Sequence, residues 1–213
     1  MWKVETHCHT SASPDGLNTP AEIVAAARRQ GLDKLIITDH NTIVGALQAH
    51  ELAPDLVIVG EEVLTREGEI LAFFVTEEVP AGLPARVAIA RLREQGAVLS
   101  IAHPFDRLRQ GHWPLAALLD LLPLVDAVEV FNARAMWPGA NRLAQRFAQK
   151  HALPGTAGSD AHAALEVGRA VTLLPPFANA EEMRAALRRA QWQGRPSGWW
   201  VHLLSRYAKL RRR

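Results

Sequence analysis

The sequence predicts an α/β fold: a distorted seven-stranded (β/α)7 barrel of the TIM type, with a β-hairpin insertion and a C-terminal helical tail. Three observations lead there. Short apolar runs alternate with helical stretches six or seven times, the pattern of a parallel sheet with crossover helices. The body is about 180 residues long, below the roughly 250 of an eight-fold barrel. The histidines and carboxylates gather at the C-terminal ends of the apolar runs, where barrels of this class build their sites.

The elements follow in order. Strand-like runs cover residues 2–6, 34–38, 56–59, 70–75, 97–101, 127–131, 153–155 and 170–174. The first helix opens at Thr19-Pro20-Ala21-Glu22, with threonine as N-cap and proline at the first helical position, and Gly31 ends it. Further helices are predicted over 42–51, 84–95 (stopped by Gly96), 114–122, 139–151 and 180–191. Residues 62–75, centred on Arg66-Glu67-Gly68-Glu69, read as an inserted hairpin. Residues 1–183 form one domain, and residues 184–213 a basic, amphipathic extension.

Composition narrows the function classes. With 213 residues, 48% of them hydrophobic and 22% charged, the chain is an ordinary soluble domain rather than a disordered one. A single cysteine, Cys8, excludes an internal disulfide framework. The opening MWKVETHCHT has no apolar signal core, and no apolar run is long enough for a membrane span. A cytoplasmic protein without a transmembrane segment is expected. The net charge of +2 hides an asymmetry. Residues 184–213 hold nine of the 24 basic residues and none of the 22 acidic ones, which leaves residues 1–183 at −7. An acidic body suits metal cations; a basic tail suits acidic partners or solubility.

His7-Cys8-His9 ends the first strand, and strand alternation puts the two imidazoles on one face, about 7 Å apart by strand rise, with Cys8 on the other. Asp15 follows in the turn sequence Ser13-Pro14-Asp15-Gly16. The second strand runs into Thr38-Asp39-His40, where His40 is a candidate ligand and Asp39 a candidate to orient an imidazole. The third ends in Gly60-Glu61-Glu62, of which one carboxylate faces the site. Ala102-His103-Pro104 follows the next apolar strand, and Pro104 should hold His103 extended. Asn132 and Arg134 follow Val128–Phe131 in sequence, and Gly158-Ser159-Asp160-Ala161-His162 comes last, with Asp160 and His162 on one face if extended. His50, His112, His151 and His202 lack this context and read as surface or packing residues. Chance placement would be indifferent to strand ends, so the constellation points to a metal site. Nitrogen and oxygen donors without thiolate suit Zn²⁺, Mn²⁺ or Fe²⁺.

In this order the motifs resemble those of the PHP (polymerase and histidinol phosphatase) family of metal-dependent phosphoesterases. The resemblance rests on His7-Cys8-His9 with Asp15, Thr38-Asp39-His40-Asn41, Gly60-Glu61-Glu62, Ala102-His103-Pro104 and Gly158-Ser159-Asp160-Ala161-His162, and spans residues 3–170. It implies a distorted seven-stranded barrel with two to three divalent metal ions. It selects Glu62 over Glu61. It implies one metal held by His7, His9, Glu62 and Asp160, a second by Asp15, His40 and His162, and a third between Glu62 and His103. Some relatives place a histidine on the hairpin where Glu69 stands, and a histidine or cysteine near Asn132.

The implied reaction is hydrolysis of a phosphate ester, a small phosphomonoester or nucleotide-type substrate, by metal-activated hydroxide. Arg107, Arg109 and Arg134, with Asn132, are the candidates to bind the phosphate, since arginine presents a bidentate fork. His103 could protonate the leaving oxygen. Two rivals belong to other classes: an accessory or proofreading module of a polymerase, and an amidohydrolase-like C–N hydrolase. The filled ligand positions argue against the first, and Asp15 with the terminal Ser-Asp-Ala-His against the second. In the tail, Trp200, Leu203, Leu204, Tyr207 and Leu210 share a helical face, against Arg206, Lys209 and the final arginines. A helix docked on the barrel, a membrane-surface helix and a weak nucleic-acid contact are the three readings.

Overall fold

The computed structural model describes every residue except Gln110, Pro138, Arg212 and Arg213. The described residues contain nine strands: β1 (Trp2–Glu5), β2 (Lys34–Ile37), β3 (Val57–Leu64), β4 (Glu69–Phe73), β5 (Val98–Ile101), β6 (Ala127–Asn132), β7 (Gly155–Gly158), β8 (Ala170–Leu174) and β9 (Gln191–Gly194). Between and after them lie α1 (Pro20–Arg29), α2 (Val44–Leu52), α3 (Ala85–Glu94), α4 (Leu115–Leu121), α5 (Gly139–Lys150), α6 (Ala180–Leu187) and α7 (Val201–Arg211). None of these helices is long and apolar enough to cross a membrane.

All nine strands form one sheet, in the order β7-β6-β5-β4-β3-β2-β1-β8-β9. β1, β2 and β3 pair in parallel, as do β5, β6 and β7, while β4 is antiparallel to both β3 and β5. These six strands share one direction, which β9 shares too as the antiparallel partner of the reversed β8, and the C-terminal ends of the six meet at one mouth. The sheet nearly closes there: beyond β1 and β7, Cys8 bridges Ala161, and the His9 N–H donates to the Ala161 carbonyl at 2.8 Å. The predicted seven strands thus become nine. Residues 62–75 are not an insertion, because β4 is an inner strand of the sheet, with Leu64 opposite Glu69 at the turn. The helix predicted to run to residue 191 ends at Leu187, and β9 follows, antiparallel to β8. Gln191-Trp192-Gln193-Gly194 is short and wholly exposed, so no hydrophobic alternation announces it.

Local chemistry explains the helix that opens after the first site loop. Thr19 accepts from the Glu22 N–H, and Glu22 reaches back to the Thr19 N–H at 2.8 Å, a complete capping box ahead of Pro20. Gly31 ends the helix at φ +63°, where a side chain would be strained. Below the mouth, Val4, Ile36, Ile58, Leu71 and Val98 pack with Leu174, Met183 and Leu187, so β8 and α6 plug the lower end. Cys8 is fully buried on the opposite side of β1 from the histidines, among Ile23, Leu35 and Ala161.

Candidate metal centre

The mouth is built from strand ends. β1 delivers His7 and His9, β2 His40, β3 Glu62, β5 His103, and β7 Asp160 and His162. The antiparallel β4 starts at the same mouth and brings in Glu69. His7 and His9 converge, their Nε2 atoms 3.1 Å apart. His7 Nε2 lies 3.3 Å from Glu62 Oε1 and 3.5 Å from Asp160 Oδ1; His9 Nε2 lies 3.4 Å from Glu62 Oε2 and 3.3 Å from Asp160 Oδ1. Asp15 Oδ1 stands 3.6 Å from His40 Nε2 and 3.4 Å from His162 Nε2, and His9, His40 and His162 form a second cluster. His103 Nε2 lies 3.0 Å from Glu62 Oε1 and 3.5 Å from Glu69 Oε2, beside His7. All eight metal-ligand candidates read from the sequence therefore meet at one place.

Three buried oxygens test whether these residues fit a cation. Among the described residues, Asp15 Oδ1, Glu62 Oε2 and Asp160 Oδ1 have no hydrogen-bond partner, yet each faces imidazole nitrogens. A buried orphan carboxylate oxygen is expensive, and a divalent ion between it and the imidazoles would satisfy both. The hard oxygen and imidazole donors suit zinc, manganese or iron.

Charges in the site are strongly coupled. Burial disfavours the charged forms of Glu62 and Asp160. The facing cations win, however: His7 and His40 hold Glu62, and Arg109 and His7 hold Asp160, well below the ordinary carboxylate range. Burial opposes charge on His7, but Glu62, Asp160 and Glu129 outweigh it and raise its pKa. His40 is likewise pushed up to about 9 against its burial, by Glu62 and Asp15. Burial, with His162 and His40 alongside, lowers His9 to about 4.

The surrounding residues hold these groups in place. Glu129 on β6 carries no role in the sequence reading. Its Oε1 lies 2.9 Å from His7 Nδ1, while its Oε2 accepts from the His103 N–H at 2.8 Å and Asn132 Nδ2 at 3.1 Å. It thus fixes the orientation of one candidate ligand and the backbone of another. The signal was available: a glutamate inside the buried run Ala127–Asn132 must have a partner. Asp39, expected to orient an imidazole, acts one step further back. It accepts from Thr10 and from Ser13 Oγ at 2.6 Å, and Ser13 Oγ lies 3.3 Å from His9 Nδ1. Glu61 turns away from the mouth and accepts from the Val79 N–H at 3.1 Å.

Two backbone expectations fail. His103 is not extended: its φ is +24°. Asp160 has φ +53°, so the 158–162 segment is not a strand carrying Asp160 and His162 on one face. The left-handed turn, tied by the Asp160 N–H to the His7 carbonyl at 2.8 Å, brings both side chains to the centre instead. Strained backbone at both residues is what a site held by its surroundings shows.

A cavity of about 480 Å³ opens onto the centre, lined by Asp15, His40, Glu69, Arg109 and His162. Arg109 pairs with Asp160, donates to Asp106 Oδ2 at 3.2 Å and reaches Asn132 Oδ1 at 3.4 Å. Asn132 sits inside the ring, its Nδ2 3.2 Å from Asp160 Oδ2. Arg107, in contrast, is exposed and does not line the cavity, because the loop after His103 turns it to solvent. Arg134 borders the cavity, but its fork is engaged elsewhere: Nη1 with Glu166 at 3.3 Å, and Nη2 with the Val201 carbonyl and Ser205 Oγ at 3.2 and 2.6 Å. It ties α7 to the barrel. The tail helix therefore docks, and it docks across the cavity, where His202, Ser205, Arg206 and Lys209 form part of the lining. His202, read from sequence as a surface or packing residue, lies at this wall. His50 bonds the Val57 carbonyl, and His151 packs on Phe147. The last two arginines of the tail lie outside the described residues.

Comparison with known proteins agrees with this arrangement. The profile of the PHP domain matches residues 5–83, and that of the PHP-associated region (PHP_C) residues 138–192. An uncharacterized protein of Methanocaldococcus jannaschii, MJ1587, is 34% identical over 144 residues, which are 62% of this chain and 82% of that protein. The crystal structure of a Bacteroides vulgatus two-domain protein containing a predicted PHP-like metal-dependent phosphoesterase superposes with a TM-score of 0.74 at 24% identity, covering 91% of this chain and 65% of that one. PsfC from Pseudomonas syringae superposes with a TM-score of 0.68 at 20% identity, over 99% of this chain and 97% of that one. With its strand-end histidines converging as the motifs require, the chain belongs to the PHP domain family.

Proposed function

We propose that this protein is a metal-dependent phosphoesterase that hydrolyses a small phosphomonoester or nucleotide-type substrate. One observation carries the reading. Five parallel strand ends bring seven imidazole and carboxylate ligand candidates, two of them with orphan oxygens, together with Asp15, which carries a third, to a centre on which a cavity lined by Arg109 opens. Family membership supports the same reading.

The ligand sets we propose are His7, His9, Glu62 and Asp160 for one ion, and Asp15, His40 and His162 for a second. Glu62, His103 and Glu69 would hold a third, with Glu69 taking the place of the histidine found in relatives. Divalent ions bound there would supply hydroxide near neutral pH and offset charge on phosphoryl oxygens. Arg109, anchored by Asp160 and Asn132 at the cavity wall, would orient the phosphate through its remaining guanidinium edge. Asn132 keeps Asp160 and Glu129 in register. Domain organisation is read as a catalytic barrel over residues 1–183, with the segment 184–213 adding a strand to the sheet and a helix to the cavity wall.

The test is metal analysis followed by turnover. Zinc, manganese or iron should bind at two or three equivalents, and the loaded protein should hydrolyse an aryl phosphate or a member of a nucleotide panel. Three equivalents assign His103 to an ion; two leave it to protonate the leaving oxygen. Bound metal with no turnover on any phosphate ester would sink the proposal.

A further inference from the structure

The helix over the cavity is turned the wrong way for simple packing. Among its apolar residues, Leu203, Tyr207 and Leu210 are 51%, 57% and 68% exposed. Its polar edge, with His202, Ser205, Arg206 and Lys209, lines the cavity instead. Arg134 holds the helix in this orientation through the Val201 carbonyl and Ser205. Lys209 reaches the centre itself, its Nζ 3.0 Å from Asp15 Oδ2. Arg206 lies three residues earlier, roughly 4.5 Å along the helix axis, and lines the same cavity. Among the described residues it has no carboxylate partner, whereas the barrel's own arginine, Arg109, is already paired with Asp160 and Asp106. A guanidinium on the wall of this cavity, with no carboxylate partner among the described residues, is a recognition group for an anion. A cavity of about 480 Å³ also holds more than a phosphoryl group.

We infer that α7 is the specificity-determining wall of the cavity. Arg206, supported by Lys209, binds a second anionic group of the substrate, about one helical turn from the phosphoryl group. The preferred substrates are then organic phosphates that carry a second anion, a carboxylate or another phosphate, over simple monoesters. This rests on the phosphoesterase reading for the identity of the first group, but its test does not require turnover. The positive field at the wall is also felt by His202, whose pKa falls through burial and through Arg134 and Arg109.

The experiment compares two three-carbon phosphonates that cannot be hydrolysed, 3-phosphonopropionate and propylphosphonate, by calorimetry on the metal-loaded full chain. They differ only in a terminal carboxylate against a methyl group. Wild type should bind the carboxylate-bearing compound about tenfold more tightly. Arg206→Gln should close most of that gap. Arg188→Gln with Arg189→Gln, which removes two exposed charges just after α6 that do not line the cavity, should leave it open. A wild-type gap below twofold, a gap that survives Arg206→Gln, or an equal narrowing in the control variant overturns the inference. Absence of phosphatase activity with the gap intact would instead refute only the catalytic reading.

Discussion

Glu129→Gln isolates the residue that sequence reasoning passed over. In the wild type, one carboxylate oxygen faces His7 Nδ1 at 2.9 Å, which places the proton there and leaves Nε2 free to ligate. The other oxygen accepts two N–H groups, from His103 and Asn132. Glutamine cannot serve both sides. If its carbonyl keeps the two N–H donors, its NH₂ faces His7 Nδ1, and the imidazole must carry its proton on Nε2, the atom aimed at the metal. If its carbonyl turns to His7, an NH₂ group meets two N–H groups. Either outcome weakens metal binding. Losing such an outer partner lowers metal affinity by about 10- to 100-fold, or about 1.4–2.7 kcal/mol. Calorimetric titration with zinc or manganese reads it directly. An affinity within twofold of wild type would show that Glu129 does not set the His7 tautomer and would refute the assignment of His7 Nε2 as a ligand.

Gly158→Ala is the packing counterpart: a Cβ there would lie 2.3 Å from the His7 Cβ. The expected cost is about 1–3 kcal/mol of stability together with weaker metal binding, read by thermal unfolding and titration; a fully loaded variant of wild-type stability contradicts it. Proton release reports the coupled histidines. Carboxylates hold His7 well above its usual pKa and His40 near 9, so both are protonated at pH 7 in the unloaded protein, while His9 near 4 is already neutral. Metal binding at pH 7 should therefore release about two protons, and affinity should fall as pH falls; titrations in buffers of different ionisation enthalpy count them, and none released refutes the ligand set. Arg134→Gln should raise amide hydrogen exchange across residues 201–211 while metal stoichiometry holds, because Arg134 bonds Val201 and Ser205; unchanged exchange would return Arg134 to the pool of phosphate ligands. Chelation should destabilise the loaded protein. At metal 100-fold above Kd the difference is about 2.7 kcal/mol, a Tm shift of roughly 5–11 °C for a chain of this length.

The strand-end histidines were legible because a buried parallel strand is a continuous apolar run, so a polar residue at its end stands out. His40 after Leu35-Ile36-Ile37 and His103 after Val98–Ile101 are of this kind. The length of β3 was not legible. Its last five residues include Glu61 and Glu62, and two adjacent glutamates mark the end of an apolar run, whereas the strand continues with one facing the site and the other the Val79 N–H. β9 escaped for a related reason: four exposed residues on a sheet edge owe their conformation to β8, not to their own pattern. The positive φ of His103 and Asp160 is set by tertiary contacts and leaves no mark in the residue type. Arg134 was read as a phosphate ligand because its neighbours in sequence lie at the site; its partners lie 32 to 71 residues away.

The orientation of α7 follows from what it meets. An amphipathic helix at a protein surface ordinarily buries its apolar stripe. That rule assumes an apolar surface to bury it against. The mouth of this barrel offers Asp15, Glu62, Glu69 and Asp160, in a body whose net charge is −7 before the basic tail is added. Covering these carboxylates with leucine side chains would desolvate charge without replacing the lost hydration. Covering them with Lys209 and the Ser205 that Arg134 binds replaces water with fixed partners, at the expense of leaving Leu203, Tyr207 and Leu210 in solvent. The cations that make the whole sequence basic are thus partly the counter-charge of its own site. A tail that served only solubility would have no reason to bring its lysine within 3.0 Å of Asp15.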